Sequence, residues 1–367
     1  MKRTLTDGSS AFQVFMSTSV AVSISDVTDF AAALLVAAGA PDAFARTVAE
    51  ALVDADVEGL ASHGMMLLPM YLDRIIAGSV APKMQGRVVS DTGAQIVIDA
   101  DNGFGQIVAE KAVGIAVERA RKHGLAAVAV RNAFHFGAAG RFARSMALQG
   151  CAGIVMANTR PLLPAPGGAE RVVGNNPIAI AVPTAAEPIV LDLALSAGAM
   201  GKIRLAESQG QTIPPGWAST SDGIPTVDPS EAIKGMLLPA AGPKGFGLAT
   251  MIDLLAGGLS SGAIGDAVQP LYGDLSKPYG CSNLFIAINI EGFRPVAEFE
   301  QDASRFADKV RASRRAPGIT DIRMPGDRAA RAHRASSGTV AIATATLASL
   351  RASALKLKVP VPAPLSS

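Results

Sequence analysis

The feature that most constrains this chain is a series of short apolar runs closed by glycine, proline or polar pairs. They are "QIVIDA" from residue 95, "AAVAVRN" from 126, "AGIVMANT" from 152, "PIAIAVPT" from 177, "PIVLDLAL" from 188 and "NLFIAINI" from 283. Such runs are too short for stable helices and too evenly apolar for half-exposed strands, so they read as buried strands. Helical patterns at 106–122, 138–149, 245–260 and 295–313 lie between or after them. Upstream, "VTDFAAALLVAAG" is capped by Ser25 or Asp26 and ended by Gly39, "PDAFARTVAEALVDADVEG" ends at Gly59, and "LPMYLDRIIAG" carries Pro69 in its first turn. The class is α/β.

Composition removes several functions. With 367 residues, 49% of them hydrophobic, the chain can bury the cores of two lobes. The 33 basic and 31 acidic residues leave no extended basic face, so a nucleic-acid partner is not expected. The apolar stretch from Ile178 to Met200 is interrupted by Pro183, Glu187, Pro188 and Asp192, which denies it a membrane span. The N-terminal apolar run, about six residues, is shorter than a secretory core region. Cys151 and Cys281 lack the paired spacing of a zinc site or a disulfide framework, and no metal is expected. A cytoplasmic protein follows as the expectation. No G-x-G-x-x-G links a strand to a helix and no P-loop occurs, so neither standard phosphate-binding turn is available.

Polar residues that interrupt this apolar pattern are the candidate site. Only four histidines occur, and His63 sits in "SHG", in a short turn between two predicted helices. "RNAFHFGAAGRFA" places His135 between a strand and a helix, where backbone N–H groups can face an anion. Asp192 lies inside the apolar "IVLDLALS", and a buried carboxylate needs a partner. Lys244 stands among glycines at the start of a helix in "GPKGFGLATMIDLLAG".

In one collinear order over residues 22 to 330, these segments resemble the type-2 malate/L-lactate dehydrogenase family, which also holds ureidoglycolate, sulfolactate and diketogulonate enzymes and cyclic-imine reductases. The resemblance rests on "D-x-x-G-x-x-SHG" (56–64), "HFGAAG" (135–140), "PGG…GNNPIAIAVP" (166–183), "DLALSAGAMGKI" (192–203), "IPPGWA" (213–218), "LLPAAGPKGFGLA" (237–249) and "MPGD" (324–327). It implies a non-Rossmann dehydrogenase fold, with a largely antiparallel cofactor-binding sheet and a second helical or mixed lobe. It also implies a homodimer, NAD or NADP as cofactor, and hydride transfer to a small 2-oxo acid or a related cyclic imine. The corresponding division is an extension over 1–21, with Met16 as an alternative initiator, a discontinuous helical and dimerisation lobe over 22–130 and 260–350, a cofactor lobe over 131–259 and a loose tail over 351–367.

Carried over residue by residue, the resemblance assigns the proton to His63 or His135, with Asp192 stabilising the imidazolium and Ser62 in a nearby hydrogen bond. A histidine suits this work because both protonation states are accessible near neutral pH. Cofactor contacts fall on Asn158, Thr159, Asn175, Asn176, Val190, Leu191, Asp192, Leu193, Ala194, Lys244, Gly245, Pro325, Gly326 and Asp327. Substrate contacts fall on Leu67, Tyr71 and Arg141. The arginines of "MPGDRAARAHR" could meet the 2′-phosphate of NADP or remain surface charge. One position departs from the pattern: the family commonly has an arginine where this chain has Leu67, and leucine cannot hold a carboxylate. Either Arg141 or Arg74 replaces it, or the substrate is not a simple 2-oxo acid. A protein that binds the nucleotide without turnover is the reading from another class.

Overall fold

The computed structural model describes residues 19–365. The anticipated alternative start at Met16 lies outside them. β1 (Ser19–Ser23) leads into α1 (Ile24–Ala37), α2 (Asp42–Val57) and α3 (Leu68–Ile76). The cap of α1 is Ser23, one turn earlier than read from sequence: its Oγ accepts the Asp26 amide at 3.3 Å. β2 (Arg87–Asp91) and β3 (Gln95–Asp99) precede α4 (Gly105–His123), β4 (Leu125–Ala133), α5 (Ala139–Ala147) and β5 (Cys151–Ala157). β6 (Ile178–Val182) and β7 (Ile189–Leu193) form a hairpin, followed by α6 (Met200–Ser208), α7 (Pro229–Lys234) and α8 (Pro243–Asp253). β8 (Cys281–Asn289), α9 (Val296–Arg311), α10 (Asp327–Ala335), β9 (Thr339–Ala343) and α11 (Thr344–Leu357) complete the order.

Every apolar run singled out in the sequence enters one seven-stranded sheet, in the order β2-β3-β4-β8-β5-β6-β7. Only β3 and β4 run parallel; all other neighbours are antiparallel. Alternation along the strands feeds two cores: Phe285 and Ala287 of β8 pack with α1 to α5, while Leu284 faces Ile203, Ala232 and Ile252 of α6, α7 and α8. The sheet spans both ranges of the division expected at residues 130/131 and 259/260: β2, β3 and β8 lie outside 131–259, β4 straddles 130/131, and β5, β6 and β7 lie inside. Among the described residues, no helix is long and apolar enough to cross a membrane.

Two terminal expectations need correction. Residues 19–21, the end of the segment expected to be a flexible extension, are ordered strand: β1 pairs with β9 from Ser19↔Ala343 to Ser23↔Thr339. The segment read as a loose tail starts inside α11, whose Leu350 and Ala354 are buried, and Leu365 beyond it is buried as well. Both ends are held by partners distant in the chain, which local sequence does not announce.

Candidate active site

The Ser-His-Gly turn is built by Asp56, near the end of α2. Its Oδ2 accepts the amide of Met65 at 2.7 Å, and it approaches Gly64 so closely that a Cβ there would fall 2.3 Å from Asp56 Oδ1. The pattern D-x-x-G-x-x-S-H-G thus has a steric cause: the carboxylate ties the turn down and only glycine leaves room for it. Burial lifts the Asp56 carboxyl to about 7, against the lowering effect of the Met65 amide. Sequence reading quoted this aspartate without giving it a role.

Held there, His63 stacks on His135 with ring centroids 5.8 Å apart. Ser62 Oγ lies 3.0 Å from His63 Nδ1. The hydroxyl of Tyr71 lies 2.7 Å from His135 Nδ1 and accepts from Gln106 Nε2 at 3.2 Å. Tyr71, expected among the substrate contacts, is completely buried and is not among the residues lining the cavity onto which His63 opens. Burial lowers the His63 imidazole from its usual value. It drives His135 to about 3, with the nearby His63 adding to the effect.

His63 opens on a cavity of about 420 Å³, within the usual range for small-molecule sites. Val190, Asp192, Leu193 and Ala194 of the β7 region line it, as do Ser62, Gly326 and Arg328. Asp192 does not hydrogen-bond to His63; its Oδ2 accepts the Gly140 amide at 2.7 Å, at the start of α5. The helix end that sequence offered to an anion is thus met by the protein's own carboxylate. A Cβ on Gly140 would fall 2.9 Å from that oxygen. Burial, with Glu58 adding to it, raises the Asp192 carboxyl to about 6 against the Gly140 hydrogen bond. Two residues missed in the sequence complete this wall: Glu58 and His333 both line the cavity, and His333 Nε2 lies 3.2 Å from Glu58 Oε1.

Several other expected contacts are committed within the fold. Asn158 donates to Asp253 and Ala263, each at 2.8 Å, and accepts from Ser282. Asn176 donates to Ala249 and accepts from Thr159, while Thr159 Oγ1 donates to Asn175 at 3.0 Å. Asp327 holds Arg311 through both carboxylate oxygens, at 2.7 and 3.0 Å. The Pro325 carbonyl receives the Val190 amide. Leu191, on the opposite side of β7 from Val190 and Asp192, is not among the residues lining the cavity. Lys244 is exposed and unbonded; Gly242 and Pro243 before it line a second hollow of about 550 Å³ with Gly167, Gly168 and Pro239. Gly245 is required where it stands, because a Cβ would fall 2.1 Å from the Ala240 carbonyl.

The cations offered in place of the missing arginine are also accounted for. Leu67 itself is a core residue, 1% exposed. Arg74 is fully buried and spends its guanidinium on the carbonyls of Pro270, Leu271 and Lys277 and on Ser79. Arg141 pairs with Asp54 and Glu110. Neither lines the histidine cavity.

Residues 22–351 match the model of the malate/L-lactate dehydrogenase family. The chain belongs to that family. It is 37% identical over 311 residues to a malate dehydrogenase of Pyrococcus abyssi, covering 83% of this chain and 85% of that protein. It is 36% identical over 290 residues to the NAD(+) ureidoglycolate dehydrogenase of Escherichia coli K12, covering 79% and 82%. The structure of the Methanocaldococcus jannaschii sulfolactate dehydrogenase superposes with a TM-score of 0.89 at 33% identity, over 93% of this chain and 98% of that one. The resemblance read from the motifs is confirmed, and the mostly antiparallel α/β architecture is that of these dehydrogenases. The chain is an NAD(P)-dependent oxidoreductase of 2-hydroxy acids; relatives named for NAD(+) and for NADP(+) both occur.

Proposed function

We propose that this protein interconverts a 2-hydroxy acid and its 2-oxo acid, with His63 as the proton acceptor and donor. The single observation behind this is the stacked His63–His135 pair beside the Asp192-lined cavity. Two imidazolium charges 5.8 Å apart would repel by about 3 kcal/mol at an effective dielectric of about 20, so the pair carries one proton. His135, pushed to about 3, is neutral; with Tyr71 donating to its Nδ1, it keeps Nε2–H as a hydrogen-bond donor for a carbonyl or alkoxide oxygen. His63 is the ring that titrates. Ser62 Oγ accepts its Nδ1 proton, which leaves Nε2 free to take the hydroxyl proton of the substrate and to return it in the reverse direction. Asp192, held by the Gly140 amide, lines the same cavity as His63 and presents its carboxyl there.

The residues fit a nicotinamide nucleotide. Gly326 and Gly140 line the cavity and let their segments pack closely on Val190 and Asp192, where a Cβ would crowd them. Arg328 lines it without an ion-pair partner among the described residues, and the amides of Arg328 and Ala329 in the first turn of α10 have no carbonyl acceptor there. These groups would hold cofactor phosphates without a Rossmann crossover. The bound nicotinamide supplies or accepts the hydride. A homodimer in the cytoplasm is the working form in this reading. Oxidation of NADH and NADPH followed at 340 nm with pyruvate, oxaloacetate, other 2-oxo acids and a cyclic imine acid tests it. Turnover of a 2-oxo acid is expected, and silence across the acids would refute the reading.

A further inference from the structure

The substrate's carboxylate still lacks a receptor, because Leu67 and Arg74 are buried and Arg141 is paired with Asp54 and Glu110, outside the histidine cavity. On the cavity wall Arg328 is assigned to the cofactor and Arg144 pairs with Glu187, but a further arginine stands just after β5, at the sheet edge from which His135 also emerges. Arg160 is half-buried; its carbonyl accepts from Thr159 Oγ1, but its guanidinium has no hydrogen bond or ion pair to any described residue. The ionisable groups that act on it are two further arginines, Arg171 and Arg204, and the Tyr279 hydroxyl; no carboxylate is among them. Burial and the two arginines hold its guanidinium below the usual arginine range. A cation kept partly dehydrated among cations is unfavourable until an anion arrives, which is the electrostatic signature of a receptor rather than of a structural ion pair.

Sheet register puts this receptor beside the reacting pair. Val130 of β4 and Ala157 of β5 both stand opposite Asn283 of β8, one on each side. β4 and β5 therefore leave the sheet at the same edge, separated by two strand spacings, roughly 10 Å. His135 follows two residues after β4 ends and Arg160 three residues after β5 ends. Between them stand aromatic rings: Tyr279 packs edge-on against Phe134 at 6.2 Å, and Phe134 packs against Tyr71 at 4.7 Å. The Tyr279 hydroxyl feels both Tyr71 and Arg160. His135 and Arg160 thus emerge at one sheet edge about two strand spacings apart, roughly 10 Å, with this aromatic group beside both.

We infer that Arg160 is the specificity-determining cation that binds the substrate's carboxylate, in the place of the arginine that Leu67 has displaced. This rests on the proposed 2-oxo acid reaction. It also narrows that reading: a carboxylate next to the reacting carbon is required, whatever the rest of the substrate is.

The test compares wild type, R160Q and R160K by calorimetric binding of oxamate, an unreactive 2-oxo acid mimic, to the enzyme–NADH or enzyme–NADPH complex, alongside KM for the acid. The expected result is a loss of at least tenfold in oxamate affinity and a matching rise in KM for R160Q, with partial recovery in R160K. A loss of about tenfold or more in oxamate affinity is the size expected for a lost charged hydrogen bond, and cofactor affinity, read by NAD(P)H fluorescence, stays within about twofold because the contact is to the acid alone. Unchanged oxamate binding overturns the inference. A loss confined to cofactor affinity overturns it too, by assigning the guanidinium to a cofactor phosphate. Should R160Q not fold, the preference of wild type and R160K for pyruvate over pyruvamide reads the same contact, and no difference in preference counts against it. A wild-type protein that binds cofactor but neither binds oxamate nor turns over any 2-oxo acid would overturn the functional reading itself, and this inference with it.

Discussion

Replacing Asp56 by asparagine separates its two contributions to the Ser-His-Gly turn. The folded carboxyl titrates at about 7, against 3.8 for the free side chain. At about 1.4 kcal/mol per pH unit, keeping it charged above pH 7 costs the fold at most about 4 kcal/mol. The sign follows from the direction of the shift: an acid whose folded value is raised binds its proton more tightly in the folded state. Stability is therefore greatest below about pH 4 for this group and falls as pH rises from about 4 to 7. Asparagine has no charge to desolvate and its Oδ1 can still accept the Met65 amide. Urea unfolding at pH 4, 5, 6, 7 and 8 should show Asp56→Asn gaining on wild type by several kcal/mol as pH rises, and no gain at pH 4. Parallel curves for the two proteins would refute the argument, because the carboxyl would then have the same proton affinity folded and unfolded.

Gly64→Ala should lower both melting temperature and kcat, since its Cβ would fall 2.3 Å from the Asp56 carboxylate; adding Asp56→Ala should restore part of the stability, and strictly additive losses in the double variant would contradict the close-approach account. Leu67→Arg should unfold the protein or lower its stability by about 3 kcal/mol or more, because the site is buried core without an acceptor; a stable variant with improved KM for pyruvate would show that Leu67 faces substrate after all. Tyr71→Phe should reduce kcat on the order of tenfold through loss of the hydrogen bond that sets the His135 tautomer, with oxamate affinity nearly unchanged; an unaltered kcat would remove Tyr71 from the positioning of His135.

Short continuous apolar runs between turn residues disclose what the sheet contains, because a strand buried on both faces cannot hide its composition. His63 and Asp192 also stood out, each being a polar residue in a segment with no structural demand for one. Other features depended on distance in the chain rather than on local pattern. The β1–β9 pairing joins Ser19 to Ala343, and nothing in either segment announces the other. The resemblance assigns Asn158, Asn176 and Asp327 to the cofactor, whereas in the structure their side chains also bond within the fold, to Asp253, Ala249, Thr159 and Arg311. Leu67 marked a departure in the sequence, yet only its burial shows that the carboxylate must be held elsewhere. Arg160 carries no signal in sequence at all, since its meaning is the absence of a neighbouring carboxylate.

The central claim is that His63 moves the proton, and the most direct test is kcat measured with His63→Asn and with His135→Gln at saturating cofactor and substrate. The account predicts that His63→Asn loses on the order of 10²- to 10⁴-fold in kcat, with NAD(P)H affinity nearly unchanged. It also predicts that the remaining rate loses the wild-type ionisation below pH 6.5, the direction in which burial has moved this imidazole. His135→Gln, which keeps a side-chain hydrogen-bond donor, should cost much less. A large loss on His135→Gln together with a mild one on His63→Asn, or a wild-type pH profile retained in His63→Asn, would contradict the assignment.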